Sequence, residues 1–275
     1  MDALPNSDHL IRWLNKHLVS LTIIYGHLDE NGKPTGKPYV AACSSFVLAF
    51  GDIWFLVTAG HVIKDLDKLF ANPRVKVLKT FIEDSLGAQA THLNSIPFNY
   101  ADSHRHPVYE DGLDFGLIVL TPNERRLMQA NGVHPVEVAN WVNQDLNRCR
   151  GFLLLGMPAD LVKPEDPEAS AIKYGTVAIA LRRLRELPDG AQETKFERFI
   201  GDVGGEVDLE HGLEGTSGAP ILGFFDEDGT LKYWVVALQS HCLRKRFVFG
   251  CPVKTIGHLI MAEANALLDD MDPKD

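Results

Sequence analysis

One stretch of the sequence, residues 215–225, reads Gly-Thr-Ser-Gly-Ala-Pro-Ile-Leu-Gly-Phe-Phe. It places a single serine, Ser217, between two glycines and directly ahead of a short apolar run. Glycine permits positive φ angles and close approach of the backbone, so these residues favour a tight turn followed by a β-strand. A hydroxyl on such a turn, with backbone N–H groups converging beside it, suits acyl transfer. The same residues also fit an ordinary turn before a strand, and the motif alone does not decide between the two.

Two further stretches place an ionisable side chain at the end of an apolar strand. Residues 55–63 read Phe-Leu-Val-Thr-Ala-Gly-His-Val-Ile, which predicts a buried strand, then small residues, then His61. Residues 111–120 read Asp-Gly-Leu-Asp-Phe-Gly-Leu-Ile-Val-Leu, where Asp114 directly precedes an apolar strand. Burying a carboxylate there costs free energy unless an imidazolium or several N–H groups compensate it. Taken singly, the histidine fits a hydrogen-bonded core residue and the aspartate fits a turn or cap.

These three residues follow one another as His61, Asp114 and Ser217, which is the chain order of the chymotrypsin type of catalytic triad. Residues 58–61 are similar to Thr-Ala-Ala-His, residues 114–117 to Asp-Ile-Ala-Leu, and residues 215–220 to Gly-Asp-Ser-Gly-Gly-Pro, all motifs of one family. The sequence therefore resembles the trypsin/chymotrypsin-like serine peptidases, particularly their bacterial members. The resemblance extends from about Val40 to the C-terminal helix. It implies an all-β fold of two perpendicular, antiparallel six-stranded β-barrels with the site in the cleft between them.

The resemblance assigns a role to each motif residue. Ser217 would be the nucleophile, His61 the general base and then acid, and Asp114 the group that fixes the imidazole tautomer and stabilises its charge. The backbone N–H groups of Gly215 and Ser217 would form the oxyanion hole. Thr216 stands where many secreted members carry an aspartate that pairs with a newly cleaved N-terminus. Activation by such trimming is therefore not expected.

The resemblance also implies how a substrate binds. A protein or peptide substrate would lie as an extended strand along the segment around Ser240, a residue that matches the family serine supporting the buried aspartate. The residues expected to bind substrate are His211, Gly212, Ser240, His241 and Cys242. Cys242 falls where the family often has glycine, which suggests a narrower specificity pocket. His211 or His241 could favour an acidic side chain of the substrate, and each fits equally well as an ordinary surface residue.

Short runs rich in Val, Ile, Phe and Tyr alternate with Gly, Pro, Asn and Asp, which is typical of antiparallel β-structure. Helical periodicity is evident in three places: after Ser7, after a capping box at Thr121, and over Thr255–Met271. The predicted strands are Leu18–His27, Val40–Ala49, Trp54–Thr58, Val75–Phe81, Phe115–Leu120, Gly151–Gly156, Tyr174–Leu184, Ala219–Phe225, Tyr233–Gln239 and Arg246–Val253.

This pattern predicts four segments along the chain. Residues 1–17 form an N-terminal helical extension that packs on the barrels, and residues 18–140 form a first barrel carrying His61 and Asp114. Residues 141–254 form a second barrel carrying Ser217, and residues 255–275 form a C-terminal helix and tail. The polar segments 99–113 and 159–169 are expected to be long loops.

Composition limits the partners. The 275 residues include 37 acidic and 27 basic ones, a formal charge of −10, so binding of a nucleic-acid backbone is not expected. The apolar runs are too short for a membrane helix, and no signal peptide is recognisable, so a cytoplasmic location is expected. Four cysteines without Cys-x-x-Cys spacing predict reduced thiols rather than a disulfide scaffold or zinc site. Neither a metal nor an organic cofactor is expected.

Two functions from different classes follow. The first is a serine endopeptidase, a hydrolase that cleaves peptide bonds through the triad. The second is a protease-fold module that binds an extended peptide without cutting it, or that stays latent until a regulatory protein partner orders the oxyanion turn. An α/β-hydrolase fits poorly, because its acid and base would both have to follow Ser217 and too little chain remains.

Overall fold

The computed structural model describes residues 7–87, 95–142, 144–205 and 212–271. The chain is mostly β-structure, arranged as an N-terminal antiparallel sheet and a C-terminal closed barrel. The four helices of the described residues are α1 (Ser7–Leu14), α2 (Gly60–Ala71), α3 (Pro122–Ala130) and α4 (Val253–Met271). Short 3-10 turns occupy Asn15–His17, Val138–Asn140 and Ala159–Leu161.

The N-terminal sheet has seven strands in the order β5-β4-β1-β2-β3-β7-β6, and each strand is antiparallel to its neighbours. The strands are β1 (Leu18–Leu28), β2 (Pro34–Phe50), β3 (Ile53–Thr58), β4 (Val75–Glu83), β5 (Ile96–Pro97), β6 (Arg105–Glu110) and β7 (Leu113–Leu120). β3 is buried along its whole length because it lies inside the sheet with apolar neighbours on both faces.

The C-terminal half is a closed six-stranded barrel in the order β11-β12-β15-β14-β13-β8. Its strands are β8 (Gly151–Gly156), β11 (Val177–Arg183), β12 (Phe199–Asp202), β13 (Pro220–Glu227), β14 (Thr230–Leu243) and β15 (Phe247–Pro252). Two short strands, β9 (Lys163–Pro164) and β10 (Ile172–Lys173), pair with each other outside the barrel.

One apolar cluster joins the two halves. It contains Phe55 and Phe115 from the sheet, Leu155 and Val235 from the barrel, and Ile256 from α4, all of them almost fully buried. Each half also has a cluster of its own. Because the shared cluster lies between the sheet and the barrel, it fixes the relative position of the loops that end beside it.

The prediction of a mostly antiparallel β-fold is confirmed, and each of the ten predicted strands overlaps an observed one. One closed six-stranded barrel is present, whereas the first barrel is observed as a sheet of seven strands, including the two-residue β5. Among the described residues, no pairing joins the two ends of this sheet, so its closure stays a prediction.

The structure differs from several local expectations. Residues 99–113 are not simply a loop, because they contain β6, which pairs with β7. The strand β12 was not predicted. The helix α2 was also missed. Its apolar residues Ile63 and Leu66 are buried with helical spacing, but the β-branched residues at its start obscure that pattern. No helix of the described residues is long and apolar enough to cross a membrane.

Candidate active site

The carboxylate of Asp114 holds His61 through two hydrogen bonds. Asp114 Oδ2 lies 2.7 Å from His61 Nδ1, and Asp114 Oδ1 accepts the backbone N–H of His61 at 2.9 Å. His61 is the second residue of α2, where backbone N–H groups have no partner within the helix, so the carboxylate also caps that end. Because a carboxylate only accepts, Nδ1 carries the hydrogen and Nε2 of the neutral ring keeps its lone pair.

The surroundings of His61 favour its protonated form. Burial alone would lower the pKa of His61, but the hydrogen bond and charge of Asp114, together with the charge of Asp65, raise it above its usual value. Asp65 lies one helical turn after His61 on α2. The ring of Tyr109, opposite Asp114 in the β6–β7 register, contacts the imidazole edge-on at 6.0 Å between centroids. The pocket is therefore built to stabilise an imidazolium.

The turn that carries Ser217 leaves two backbone N–H groups without an acceptor among the described residues. The N–H of Thr216 donates to Leu213 O, that of Gly218 to Gln239 O, and that of Ala219 back to Thr216 O, at 2.8–3.2 Å. The N–H groups of Gly215 and Ser217 donate to none of the described groups. These are the two donors that the sequence predicts for an oxyanion hole.

The orientation of the first of these donors is fixed by its own peptide. The carbonyl oxygen of Glu214 accepts the N–H of Ala159 at 2.9 Å. Because a trans peptide points its C=O and N–H in opposite directions, this bond aims the Gly215 N–H away from Ala159. Gly215 has a φ of +86°, and a Cβ there would lie 2.6 Å from Ala159 N, so the turn requires glycine at this position.

Ser44 on β2 connects the N-terminal sheet to this turn. Its hydroxyl donates to Gly215 O at 2.9 Å and accepts the N–H of Met157 at 3.0 Å. The carbonyl oxygen of Ser44 accepts the hydroxyl of Thr58 at 3.0 Å, three residues before His61. Ser44 is fully buried, so these bonds are shielded from water. Sequence motifs gave no sign of this residue, since a serine inside a strand has many structural uses.

All three predicted triad residues line one cleft of about 1020 Å³ between the sheet and the barrel. The hydroxyl of Ser217 donates to the carbonyl oxygen of Ser240 at 3.2 Å. It makes no hydrogen bond with His61, whose Nε2 has no partner among the described residues. The imidazole of His61, whose Nε2 can accept a proton, and the hydroxyl of Ser217 therefore lie in one cleft without a direct hydrogen bond between them.

A chain of hydrogen bonds runs along the cleft wall beside Ser217. Arg198 Nη1 lies 3.2 Å from His241 Nε2, His241 Nδ1 lies 3.1 Å from Ser240 Oγ, and Ser240 Oγ donates to Phe249 O at 3.2 Å. Since a guanidinium only donates, Nε2 accepts, and the ring is the neutral form with its hydrogen on Nδ1. Partial burial, then the charges of Arg198 and His61, lower the pKa of His241 accordingly.

The predicted substrate-binding residues divide into three groups. Ser240, His241 and Cys242 line the cleft, whereas Gly212 is not among its lining residues, and a Cβ there would lie 3.1 Å from the side chain of Lys245. His211 lies outside the described residues. One detail was wrong: the Ser240 hydroxyl bonds to Phe249 and His241 rather than supporting Asp114, because the bulge in β14 at this point turns it toward β15.

Cys242 is the cysteine that lines the cleft. All four cysteines are free thiols, and burial raises the pKa of Cys251 to about 12. Within the described part of the chain, no group of three or more His, Cys, Asp or Glu side chains could hold a metal ion.

No protein-family model matches the chain, and no curated protein matches it either. A similar solved structure is that of a thermostable serine protease, AL20, from an extremophilic microorganism. The alignment covers 88% of this chain and 93% of that chain, with 12% sequence identity and a TM-score of 0.43.

Proposed function

We propose that this chain is a serine endopeptidase of the trypsin/chymotrypsin-like type. The observation that carries the proposal is the pairing of His61 with Asp114 through both the ring and the backbone, in the cleft that Ser217 also lines. A buried carboxylate, an oriented imidazole and a serine on a glycine turn are the parts that acyl transfer needs. A structural role for His61 alone does not require Nε2, in a cleft, to be left without a partner among the described residues.

In the proposed reaction, rotation about the Cα–Cβ bond of Ser217 carries its hydroxyl from Ser240 toward His61. Nε2 of His61 takes the hydroxyl proton as Oγ bonds to the carbonyl carbon of the substrate. The negative charge that develops on the carbonyl oxygen is stabilised by the N–H groups of Gly215 and Ser217, and Asp114 stabilises the imidazolium. His61 then returns the proton to the leaving amine. Water hydrolyses the acyl-enzyme by the same steps.

The substrate is proposed to lie along the free edge of β14. Residues 241–243 pair with β15 on one side, whereas on the other side the pairing with β13 ends at Leu238. An extended peptide can add to such an edge through main-chain hydrogen bonds. We further propose that the seven-stranded sheet is the counterpart of the first barrel of the family, with residues 18–140 and 141–254 as its two domains.

One observation favours the second candidate function, a peptide-binding module that is inactive or waits for a regulatory partner. The hydroxyl of Ser217 is bonded to Ser240 O and not to His61. A module that binds an extended segment would need the β14 edge but neither the free Nε2 nor the two free N–H groups. A substrate N–H that takes over Ser240 O would release the hydroxyl, so the same bond also fits an enzyme in its unliganded state.

Labelling with an organophosphonate separates these functions, because the reagent reacts with an activated serine hydroxyl. We expect labelling of the wild-type protein at Ser217, loss of it in Ser217→Ala, and wild-type labelling in Ser85→Ala, a control at an exposed serine. Binding of a peptide without labelling or cleavage would favour the module instead. Labelling that persists in Ser217→Ala would remove this residue from the mechanism.

A further inference from the structure

Arg198 stands in the proposed catalytic cleft and takes no part in the triad. It precedes β12, and its guanidinium lies 4.5 Å from the centroid of the Phe249 ring. It donates to Gln192 O and to Nε2 of His241, and His241 in turn stacks on Phe249 at 4.6 Å with an interplanar angle of 7°. Planar stacking and directed hydrogen bonds hold this cation in one place at the cleft wall.

No carboxylate of the described residues lies at bonding distance from the charge of Arg198. Among the described residues, no Asp or Glu forms an ion pair with it, although the charge of Asp111 reaches it from across the cleft. The neutral ring of His241 uses one guanidinium N–H and Gln192 O uses another. A guanidinium has five N–H groups, so donors remain for a ligand in the cleft.

The cleft as a whole is not cationic, so any selection for charge must be local. On the side of the N-terminal sheet, its described lining includes four carboxylates against one cation, Lys68: these are Asp65, Glu110, Asp111 and Asp114. Arg198 lies on the opposite side, with the barrel strands that carry His241 and Phe249, where the described lining has two cations, Arg198 and Lys245, and one carboxylate, Glu214. An acidic side chain is therefore attracted to one wall and repelled from the other.

The distance between Ser217 and Ser240 indicates which side of a substrate meets Arg198. The carbonyl carbon under attack must come within about 3 Å of Ser217 Oγ. Ser240 O, 3.2 Å from that oxygen, is then in reach of the N–H of the same substrate residue. The acyl part of the substrate consequently runs along residues 240–242, and its side chains pass His241, to which Arg198 is bonded.

On the basis of the proposed peptidase function, we propose that Arg198 makes the enzyme select an acidic side chain among the three residues that precede the cleaved bond. The acidic side chain bonds to the free N–H groups of the guanidinium. His241, which accepts one N–H and stacks on Phe249, positions the guanidinium and does not carry the charge itself. This places specificity on the residue directly before β12, which lies 43 positions before His241 in the sequence.

The test compares cleavage of matched peptides that carry Glu, Gln or Lys at each of the three positions. For the wild type we expect kcat/KM for Glu to exceed that for Gln by about tenfold or more at one position, as a charge-assisted hydrogen bond provides. Arg198→Gln should bring that ratio close to one, and Arg198→Glu should favour Lys over Glu. Arg126→Gln, which removes the same charge from an exposed position on α3, should keep the wild-type ratio.

The outcomes distinguish this inference from the function on which it rests. Wild-type protein that is labelled at Ser217 and cleaves Glu and Gln peptides equally well would overturn the role of Arg198 and leave the peptidase standing. Absence of both labelling and cleavage would overturn the peptidase and the inference together. Should Arg198→Gln fail to fold, Arg198→Lys provides the measurement: its ratio should stay above one but fall, because an ammonium stacks less well on Phe249.

Discussion

At the scale of single residues, the charge of Asp65 provides a test of His61 as the base. Asp65 follows His61 by one turn of α2 and is one of the groups that raise its pKa. The neutral imidazole is the reactive form, so the rate of Ser217 labelling should rise with pH through the raised pKa of His61. Replacing Asp65 by Asn destabilises the imidazolium, lowers that pKa and moves the rise to lower pH.

A charge pair one helical turn apart changes free energies by a few tenths of a kcal/mol, so we expect Asp65→Asn to shift the midpoint downward by about 0.1–0.4 pH unit. The measurement is the pH profile of the labelling rate at low ionic strength. High salt should reduce this shift of the midpoint, because the Asp65 side chain is largely exposed and its charge is screened by ions. Asp52→Asn, at an almost fully exposed carboxylate, is the control and should leave the midpoint in place.

Gly218, directly after the proposed nucleophile, allows a comparison of two glycines. It has a φ of +92°, and a Cβ there would lie 2.3 Å from Thr58 Oγ1 and 2.4 Å from Ser44 O. Gly229 also has a positive φ, +76°, but a Cβ there would meet nothing within 4 Å. Gly229→Ala therefore carries backbone strain alone, about 1 kcal/mol, whereas Gly218→Ala adds a collision with backbone and should exceed that by about 2 kcal/mol or more.

Chemical denaturation of the two glycine variants measures this difference. Gly218→Ala should also reduce labelling of Ser217, because the turn has to move away from β2 to admit the methyl group. Equal losses of stability in the two variants would show that the loop rearranges freely, and would weaken the case for a preformed oxyanion site.

The site residues that could be predicted from the sequence are those that lie within a recognisable local motif. His61, Asp114 and Ser217 each follow or precede an apolar strand, and the structure brings them into one cleft. Arg198 could not be found in this way, because the groups that hold it come from β14, β15 and a loop. Asp65 would have been recognisable one turn after His61 only if α2 had been predicted.

At the scale of elements, one buried hydroxyl links β2 to the turn that carries Ser217. Ser44 bonds to Gly215 O and to the N–H of Met157. Ser44→Ala leaves both groups buried and without this partner, which should lower the free energy of unfolding by about 1–3 kcal/mol. It also frees the carbonyl of Gly215, so the labelling rate of Ser217 should fall by more than the loss of folded protein explains.

The neighbouring residue provides a matched control for this substitution. Ser45 is equally buried on β2, but its hydroxyl bonds at 3.4 Å to the carbonyl of Cys43 and does not touch the turn. Ser45→Ala should lower stability less and leave the labelling rate of folded protein unchanged. If the two variants behaved alike in the labelling assay, Ser44 would have no part in positioning the turn.

Elements differed in how far the sequence could predict them. Strands with continuous apolar character, such as β3 and β8, were predicted nearly to their ends, and the capping box of α3 forms as expected. β6 was missed because its residues are partly buried or exposed, and none is fully buried, so that it carries little apolar signal. Its pairing with β7 is a tertiary property that the sequence of β6 alone does not reveal.

At the scale of the whole molecule, hydrogen bonds connect the segment before the first strand to the C-terminal half. The hydroxyl of Tyr233 on β14 lies 2.6 Å from Nε2 of His17, and Asn15 Nδ2 donates to Thr176 Oγ1 at 3.0 Å. The N-terminal segment thus contacts the C-terminal half before the first strand begins. Burial lowers the pKa of His17 to about 4, so it stays neutral at physiological pH and adds no charge to this contact.

Trp141, in the connection between the halves, is the largest side chain in the core that they share. It is 1% exposed, donates from Nε1 to Ala49 O on β2 at 3.3 Å, and packs against Gly257 on α4. Because the same apolar cluster serves the sheet and the barrel, we expect the protein to unfold in one transition. Loss of this side chain should then weaken both halves together.

Trp141→Ala should lower the free energy of unfolding by about 3–5 kcal/mol, as other large core truncations do. Hydrogen exchange during urea denaturation, followed separately in β3 and in β15, should show the same midpoint in both strands and the same shift in the variant. Trp13→Ala, at a side chain that is 41% exposed, should shift both midpoints far less. Separate midpoints in the wild type, or a shift confined to one half, would mean that the sheet and the barrel fold independently, and that the cleft between them is not held rigidly by a common core.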